Sequence, residues 1–314
     1  MSTQTNQRSL PAWVGHLACF GAYFIFGFNL VACKNISNGN FISPMGFFCL
    51  RAIGATALLW AISIFLPKQK VERRDLLKIF CASMLGLFLT QYFFLEAITV
   101  TTPLDASILA SMAPIMTMFI AAAYLKEPIT FKKIAGVLIS LAGVLLLIFN
   151  SVSISAGAEK TTAMGFIMMT LNCLSFALYL GLFKPLIEKY DTVTFMKWMF
   201  LFSTLASVPF DIKELVTLDL SSVAPSLLWQ LLYVIVFATF IAYMLIPIGQ
   251  KTLRPTLVSM YSYVQPIIAA ALSIYLGLDR LDWQKVVAAI LVFSGVAIVN
   301  NSKSAAAMKK AKQS

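Results

Sequence analysis

Long apolar runs, separated by short charged or Pro-, Asn- and Ser-containing stretches, occupy most of this chain. About ten of them are on the order of 17 to 24 residues long, the length that an α-helix needs to cross a bilayer. The runs are continuous and lack the alternation of apolar and polar positions typical of transmembrane β-strands. The pattern therefore predicts an all-α integral membrane protein with ten transmembrane helices. The predicted spans are 13–32, 44–66, 76–98, 104–125, 134–149, 164–183, 193–208, 227–249, 256–276 and 286–299.

The second half of the chain repeats the first. Segment 103–151 aligns without a gap on 255–303, at an offset of 152 positions that brings Pro114 onto Pro266. Each half holds five predicted spans, and this odd number predicts two inverted five-helix repeats related by a pseudo-twofold axis in the membrane plane. The predicted organisation is a cytoplasmic N-terminal tail 1–12, a first repeat 13–150, an external loop 151–162, a second repeat 163–301 and a basic cytoplasmic C-terminal tail 302–314.

Composition and charge support a protein of the cytoplasmic (inner) membrane. Hydrophobic residues make up 60% of the 314 positions and the mean hydropathy is +0.85, far above the values of soluble domains. Lys and Arg concentrate in alternate connecting segments, which predicts cytoplasmic N- and C-termini in a multi-pass topology. The net charge of +11 is then explained by anionic lipid at the bilayer surface, and nucleic acid is not an expected partner.

Charged residues within the apolar runs are the first candidates for a substrate pathway. Arg51 and Lys197 lie in related spans of the two halves, and a charge at that depth is costly unless it is paired or hydrated. Glu96 is the acidic residue well inside an apolar run, where it would pair with Arg51, accept a substrate ammonium or carry a coupled proton. The alternatives are that the two basic side chains extend to the headgroups and that Glu96 is hydrated at the end of its helix.

Polar and helix-breaking residues extend this candidate pathway. Pro114 and Pro266 remove a helix N–H and free the carbonyls of Ala110 and Ser262, which predicts cavity walls or, alternatively, simple packing kinks. The remaining candidates are polar side chains inside the spans, which either meet substrate or hydrogen-bond a neighbouring helix. They are Asn29, Gln91, Tyr92, Asn172, Tyr179, Tyr243, Tyr263 and Gln265.

Other chemistries lack their residues in this sequence. His16 is the single histidine, the five cysteines form no C-x-x-C pair, and no G-x-x-x-x-G-K-[ST] motif occurs. We therefore expect no metal, no cofactor and no enzymatic activity, with transport driven by the substrate gradient or by protons. Gly136 and Gly143 lie on one small-residue face that predicts close helix packing, either within the bundle or between protomers of a homodimer.

Several of these residues also form a family pattern. The run Phe26-Gly27-Phe28-Asn29 followed by Lys34 resembles the first-helix signature of EamA-type members of the drug/metabolite transporter superfamily. Phe26 replaces the tryptophan usual in the family, and Asp279 replaces a glutamate. Further matches are Arg51, Pro103, Ala113-Pro114, Leu125-Lys126-Glu127, Gly136, Gly143-Val144, Gln265-Pro266, Gly277 and Gly295-Val296.

The resemblance implies a ten-helix, inverted-repeat carrier that commonly moves small metabolites, amino acids or drugs outward. With the polar positions, it favours a secondary transporter that exports a small amphipathic metabolite such as an amino acid by alternating access. Multidrug efflux is the alternative within this mechanism. A membrane-embedded enzyme acting on lipids and a non-transporting sensor or assembly partner are the alternatives from other classes.

Overall fold

The computed structural model describes residues 11–39, 41–67, 69–101, 109–152, 162–219, 221, 223–275 and 283–302. Within these ranges the chain is helical and contains no β-strand, which confirms the all-α prediction. Most of the two predicted tails and of the predicted loop 151–162 lies outside the described residues. The same is true of Pro103, Gly277 and Asp279 of the family pattern.

A helix lies at each predicted apolar run. Seven of the described helices, namely α1, α2, α3, α6, α7, α8 and α10, are long and apolar enough to cross a membrane, and α4 is apolar but shorter. The membrane class is therefore confirmed, while the count of ten crossings stays a prediction. The helices are α1 (Ala12–Asn38), α2 (Pro44–Ile64), α3 (Arg73–Val100), α4 (Ala113–Leu125), α5 (Phe131–Val152), α6 (Ala163–Leu182), α7 (Thr192–Thr217), α8 (Pro225–Thr252), α9 (Pro255–Met260, Tyr261–Tyr263 and Val264–Tyr275) and α10 (Trp283–Asn300).

Large apolar side chains cover the outer surface of the bundle. Trp13, Phe65 and Trp229 are 63%, 87% and 71% exposed, and many other aromatic and aliphatic residues are similarly uncovered. Soluble monomers rarely expose apolar surface on this scale, because water disfavours it. The exposed surface is therefore suited to contact with lipid tails.

Helices α5 and α10 form an antiparallel pair in close contact. A methyl group placed on Gly136 would lie 2.7 Å from the carbonyl oxygen of Gly295, and one on Gly143 would lie 2.8 Å from the carbonyl oxygen of Ala288. Between these glycines, the Ser140 hydroxyl donates to the carbonyl of Val292 at 3.0 Å. The small-residue face predicted from the sequence thus packs within the bundle.

Contacts between the two halves occur in equivalent pairs. Helix α1 packs on α8 and α9, and α6 packs correspondingly on α3 and α4. Helix α2 packs against α7 and α8, as α7 packs against α2 and α3. Side chains of the two halves therefore face each other across the middle of the bundle.

At one end of the bundle, polar contacts join the halves. Lys189, at the end of the short helix Lys184–Lys189, contacts Asp75 at 2.6 Å and Glu72 at 2.7 Å. The Tyr190 hydroxyl donates to the same Asp75 carboxylate at 2.8 Å. Lys251 also donates to the carbonyl of Tyr190 at 2.8 Å, and we call this cluster of five residues the basic end.

The ion pairs of the basic end persist at neutral pH. Hydrogen bonds to Asp75 and then to Glu72 hold the pKa of the Lys189 ammonium above its ordinary value. A raised pKa means that Lys189 stays protonated through the neutral range and loses these partners only at more alkaline pH.

Candidate functional site

A cavity of about 140 Å³ lies between the two halves. Helices α1, α2 and α3 of the first half and α6, α8 and α9 of the second half contribute side chains, together with residues at the start of α4. Its walls are mostly apolar with a few polar groups, which is the usual character of a small-molecule site. The lining residues are Tyr23, Phe26, Asn29, Arg51, Thr90, Gln91, Phe94, Ala110, Ala113, Met169, Asn172, Cys173, Phe176, Tyr243, Ile246, Ser262 and Gln265.

A π-helical segment occurs in each half beside this cavity. In α3 the segment is Met84–Phe88, and in α8 it is Val234–Ile241. The Thr90 hydroxyl donates to the carbonyl of Leu85 at 2.6 Å, five residues earlier. Because π-segments shift the helix register and recur at functional sites, they decide which side chains of α3 and α8 face the cavity.

A threonine in α8, at a position that is not equivalent to Thr90, makes a similar local bond. The Thr239 hydroxyl donates to the carbonyl of Val234 at 2.7 Å, again five residues earlier. In α3 the backbone is also bound from the opposite half, since the Asn172 amide donates to the carbonyl of Thr90 at 2.6 Å. Both π-segments are thus fixed by side-chain hydrogen bonds.

Gln91 and Tyr243 meet across the cavity from opposite halves. The Gln91 amide nitrogen donates to the Tyr243 hydroxyl at 2.6 Å. The amide oxygen of Gln91, the Tyr23 hydroxyl and the Ser262 hydroxyl are buried and have no hydrogen-bond partner among the described residues. Buried polar atoms are normally satisfied, so these three groups are available to a ligand.

Arg51 brings a positive charge into the cavity wall. It is 1% exposed, and its Nε donates to the Thr239 hydroxyl oxygen at 2.9 Å. Its guanidinium carbon also lies 5.4 Å from the centre of the Phe47 ring. Thr239 and Phe47 thereby hold the guanidinium in one orientation.

Aromatic rings form the apolar part of the wall. The Phe26 ring packs edge-on against Tyr23 at 5.7 Å and against Tyr243 at 5.5 Å between ring centres. Phe200, outside the lining, supports Tyr243 from behind at 5.8 Å. This packing fixes the position of the Tyr243 hydroxyl that Gln91 contacts.

The structure brings together six of the eleven polar and charged candidates from the sequence. The cavity is lined by Asn29, Arg51, Gln91, Asn172, Tyr243 and Gln265. Tyr92 and Glu96 lie elsewhere on α3: the Tyr92 ring stacks on Phe88 at 6.4 Å, and Glu96 is half-buried. One of the alternatives for Glu96 was an ion pair with Arg51, and no such ion pair is found in the described part of the chain.

Three further candidates have structural contacts outside the lining. Tyr179 is 3% exposed and packs beside Phe176, behind the wall. Lys197 lies 3.4 Å from the Ser63 hydroxyl and 5.2 Å from the centre of the Trp60 ring. Tyr263 donates to the carbonyl of Ser111 at 2.8 Å, which links α9 to the start of α4.

The two prolines lie next to interruptions of their helices. Pro114 is in the first turn of α4, where a backbone N–H has no intrahelical partner and a proline costs little. Pro266 follows the 3₁₀ turn Tyr261–Tyr263 in α9. Ala110 and Ser262, whose carbonyls were expected to be released, both line the cavity.

Sequence analysis missed the threonines and much of the aromatic wall. Thr90 and Thr239 stand in apolar runs, where a lone hydroxyl gives no sign of a π-segment. Phe94 and Phe176 are among 25 phenylalanines, so composition alone does not distinguish them. No group of three or more His, Cys, Asp or Glu side chains able to hold a metal occurs among the residues described.

A model of the EamA-like transporter family matches this chain twice, over residues 13–149 and 163–301. The chain belongs to the EamA-like transporter family. The sequence-based identification is thereby confirmed. This EamA protein is 26% identical over 207 residues to an uncharacterized transporter of Archaeoglobus fulgidus, covering 65% of this chain and 69% of that protein.

Two further comparisons cover more of the EamA chain. A WAT1-related protein of Arabidopsis thaliana is 24% identical over 293 residues, which is 84% of this chain and 79% of the plant protein. A solved crystal structure superimposes with a TM-score of 0.72 at 19% identity, over 90% of this chain and 95% of the other. At that identity the likeness concerns the fold alone.

Proposed function

We propose that this EamA protein is a secondary transporter that exports small amphipathic metabolites, such as amino acids, across the cytoplasmic (inner) membrane by alternating access. The observation that carries the proposal is the cavity between the two halves, to which both contribute polar and aromatic side chains. A site between repeats near the middle of the bundle is where carriers of this architecture bind substrate.

We further propose that the chain forms ten crossings as two inverted repeats, 13–150 and 163–301. Three hydrogen bonds support this arrangement, because each joins positions that are 152 residues apart. They are Gln91 to Tyr243, Ser140 to Val292 and Tyr263 to Ser111. Residues related by a twofold axis meet each other only where they lie close to that axis, so these bonds fit an axis through the middle of the bundle.

The orientation is proposed from the basic end. Lys189, Lys251 and their neighbours lie in segments that the lysine and arginine distribution assigns to the cytoplasm. We therefore place the basic end and both termini on the cytoplasmic side. The sequence contains no nucleotide-binding P-loop, so the gradient of the substrate or of protons supplies the energy.

Multidrug efflux is the second candidate. The aromatic rings of Phe26, Phe94 and Phe176 in the cavity wall favour it, because apolar aromatic surface accepts varied ligands. Four of the lining positions are amides, at Asn29, Gln91, Asn172 and Gln265, and these favour the metabolite export that we propose.

Counterflow in proteoliposomes tests the proposed function. Liposomes loaded with an unlabelled amino acid should take up the same radiolabelled amino acid, and a parallel assay with a lipophilic drug cation addresses multidrug efflux. We expect Ala113→Phe to abolish uptake, because Ala113 lines the cavity and the added ring would fill it. Ala142→Phe, on the exposed face of α5, is the matched control and should retain uptake. Equal uptake by both variants would contradict transport through this cavity.

A further inference from the structure

Arg51 is a buried cation without a carboxylate partner among the described residues. Its polar contacts are the Thr239 hydroxyl, at 2.9 Å from Nε, and the Cys33 sulfur, at 4.0 Å from Nη1. Both groups are uncharged acceptors, and the ion pairs found in the described part of the chain involve other cations. A charge that is 1% exposed is costly to keep without a counter-ion, so its retention here needs an explanation.

Neighbouring groups hold the guanidinium at the cavity rather than neutralise it. The Thr239 hydroxyl donates its hydrogen bond to the carbonyl of Val234, so its oxygen is an acceptor for Arg51. The Phe47 ring lies along the guanidinium. A guanidinium has five N–H donors, and these contacts leave donors for a further acceptor.

The rest of the lining supplies no negative charge. Besides Arg51, the described lining residues are apolar, hydroxyl, amide, thiol or phenol side chains, and none is Asp or Glu. A planar guanidinium in such surroundings is well suited to bind one carboxylate or similar oxyanion through two parallel hydrogen bonds.

Cavity size and lining chemistry limit the remainder of the ligand. The cavity of about 140 Å³ resembles in volume an engineered cavity of about 150 Å³ that holds benzene. Phe26, Phe94 and Phe176 offer apolar contact, and the unpartnered Gln91 amide oxygen and Ser262 hydroxyl offer polar contact. One cation and a small apolar volume fit a compact molecule with a single anionic group.

We infer that the transported molecule carries one anionic head group, which binds Arg51, and a short apolar tail, which packs on the aromatic wall. This inference rests on the proposed function and specifies its substrate class. Thr239 acts as a positioning residue, since it contacts Arg51 and not the ligand.

Two isosteric ligands test the head group. The affinities of 4-methylpentanoate and 4-methylpentanamide for the full chain in nanodiscs are measured by isothermal titration calorimetry at neutral pH. These ligands share the same tail and differ in charge. We expect the carboxylate to bind at least about tenfold more tightly than the amide, because only the carboxylate offsets the buried guanidinium. Equal affinities, or no binding of the carboxylate, would overturn the inference.

Variants of Arg51 test whether this residue causes the preference for the carboxylate. We expect Arg51→Gln to remove the preference for the carboxylate and Arg51→Lys to retain part of it, since lysine keeps the charge but not the fork of donors. Arg73→Gln makes the same substitution at an exposed position at the start of α3 and should leave the preference intact. A preference that survives Arg51→Gln would contradict the inference, and the wild-type ligand pair remains a test if that variant does not fold.

Counterflow measurements distinguish a failure of the proposed transport from a failure of the anionic head group. Amino acid uptake without a preference for the anionic ligand would refute the anionic head group and leave transport standing. Anion binding through Arg51 without uptake of any substrate would support the binding site and refute transport.

Discussion

Neighbouring polar side chains in this protein find different partners. Gln91 and Tyr92 are neighbours in sequence, yet Gln91 faces the cavity and bonds Tyr243, whereas the Tyr92 ring stacks on Phe88. The Gln91 amide donates one hydrogen bond within the protein and keeps its oxygen unpartnered among the described residues. A buried acceptor of this kind is costly unless a ligand or water binds it. The free-energy contribution of Gln91 therefore depends on what occupies the cavity.

Replacing Gln91 by leucine tests this role. We expect Gln91→Leu to reduce amino acid counterflow by about tenfold while the protein remains folded, because a ligand loses a hydrogen bond that is worth about 1–3 kcal/mol when its partner is left unpaired. Initial rates in proteoliposomes measure the effect. Gln284→Leu, the same change in α10 and outside the lining, is the control. Similar rates in both variants would show that Gln91 makes no contact with the transported molecule.

At the scale of helices, close packing and local irregularity have different roles. No described residue of helices α5 and α10 lines the cavity, and the two helices make close backbone contact at their glycines. Helices α3 and α8 line the cavity and contain the π-segments. The α5 and α10 pair is thus closely packed away from the cavity, whereas the irregular helices present polar groups to it.

The variant Gly143→Val tests the close packing of α5 on α10. The valine Cβ would lie 2.8 Å from the carbonyl oxygen of Ala288 and 2.9 Å from the Leu291 Cβ, which forces α10 away. We expect a loss of about 1–3 kcal/mol in stability, seen as a lower melting temperature in detergent. Ala142→Val adds the same kind of bulk at the exposed neighbouring position and should melt as the wild type does. An unchanged melting temperature for Gly143→Val would mean that the helix pair is looser than described.

For the whole molecule, the contacts between halves bear on the alternating access that we propose. At the basic end, Lys189 and Tyr190 of the second half both bind the carboxylate of Asp75 in the first half. Movement of one half against the other has to break these contacts before the cavity opens at this end. If the protein alternates as we propose, the basic end stabilises the arrangement in which that side is closed.

Asp75→Asn tests this closure. We expect the variant to favour opening at the basic end and to speed maleimide labelling of Cys19, which is 0% exposed, in a protein whose other cysteines are serine. Lys78→Gln removes the charge that binds Asp75 from within α3 at 2.7 Å and leaves the contact between halves intact. It should label at the parental rate. Equal labelling of all three proteins would contradict a closing role for Asp75.

Several residues of the candidate site could be predicted from the sequence. The sequence did not show which of the polar candidates line the cavity. Arg51, Asn29 and Gln265 are polar groups in apolar runs, and they do line the cavity. Glu96 and Lys197 met the same criterion and lie outside the lining. A polar side chain in a membrane helix is satisfied by a cavity, a neighbouring helix or the headgroups, and the sequence gives its position along the helix but not the direction in which it faces.

The sequence by itself determined that this protein lies in a membrane, which family it belongs to and that its second half repeats the first. About ten long apolar runs are too many to bury in one soluble core and are suited to helices in lipid, and a repeated pattern at a constant offset needs no coordinates to be recognised. Tertiary structure alone decided which residues meet across the halves, because the π-segments of α3 and α8 change the helix register and bring Gln91 to Tyr243 and Thr239 to Arg51. These contacts join positions more than 150 residues apart, and only the packing of the helices brings such positions within hydrogen-bond distance.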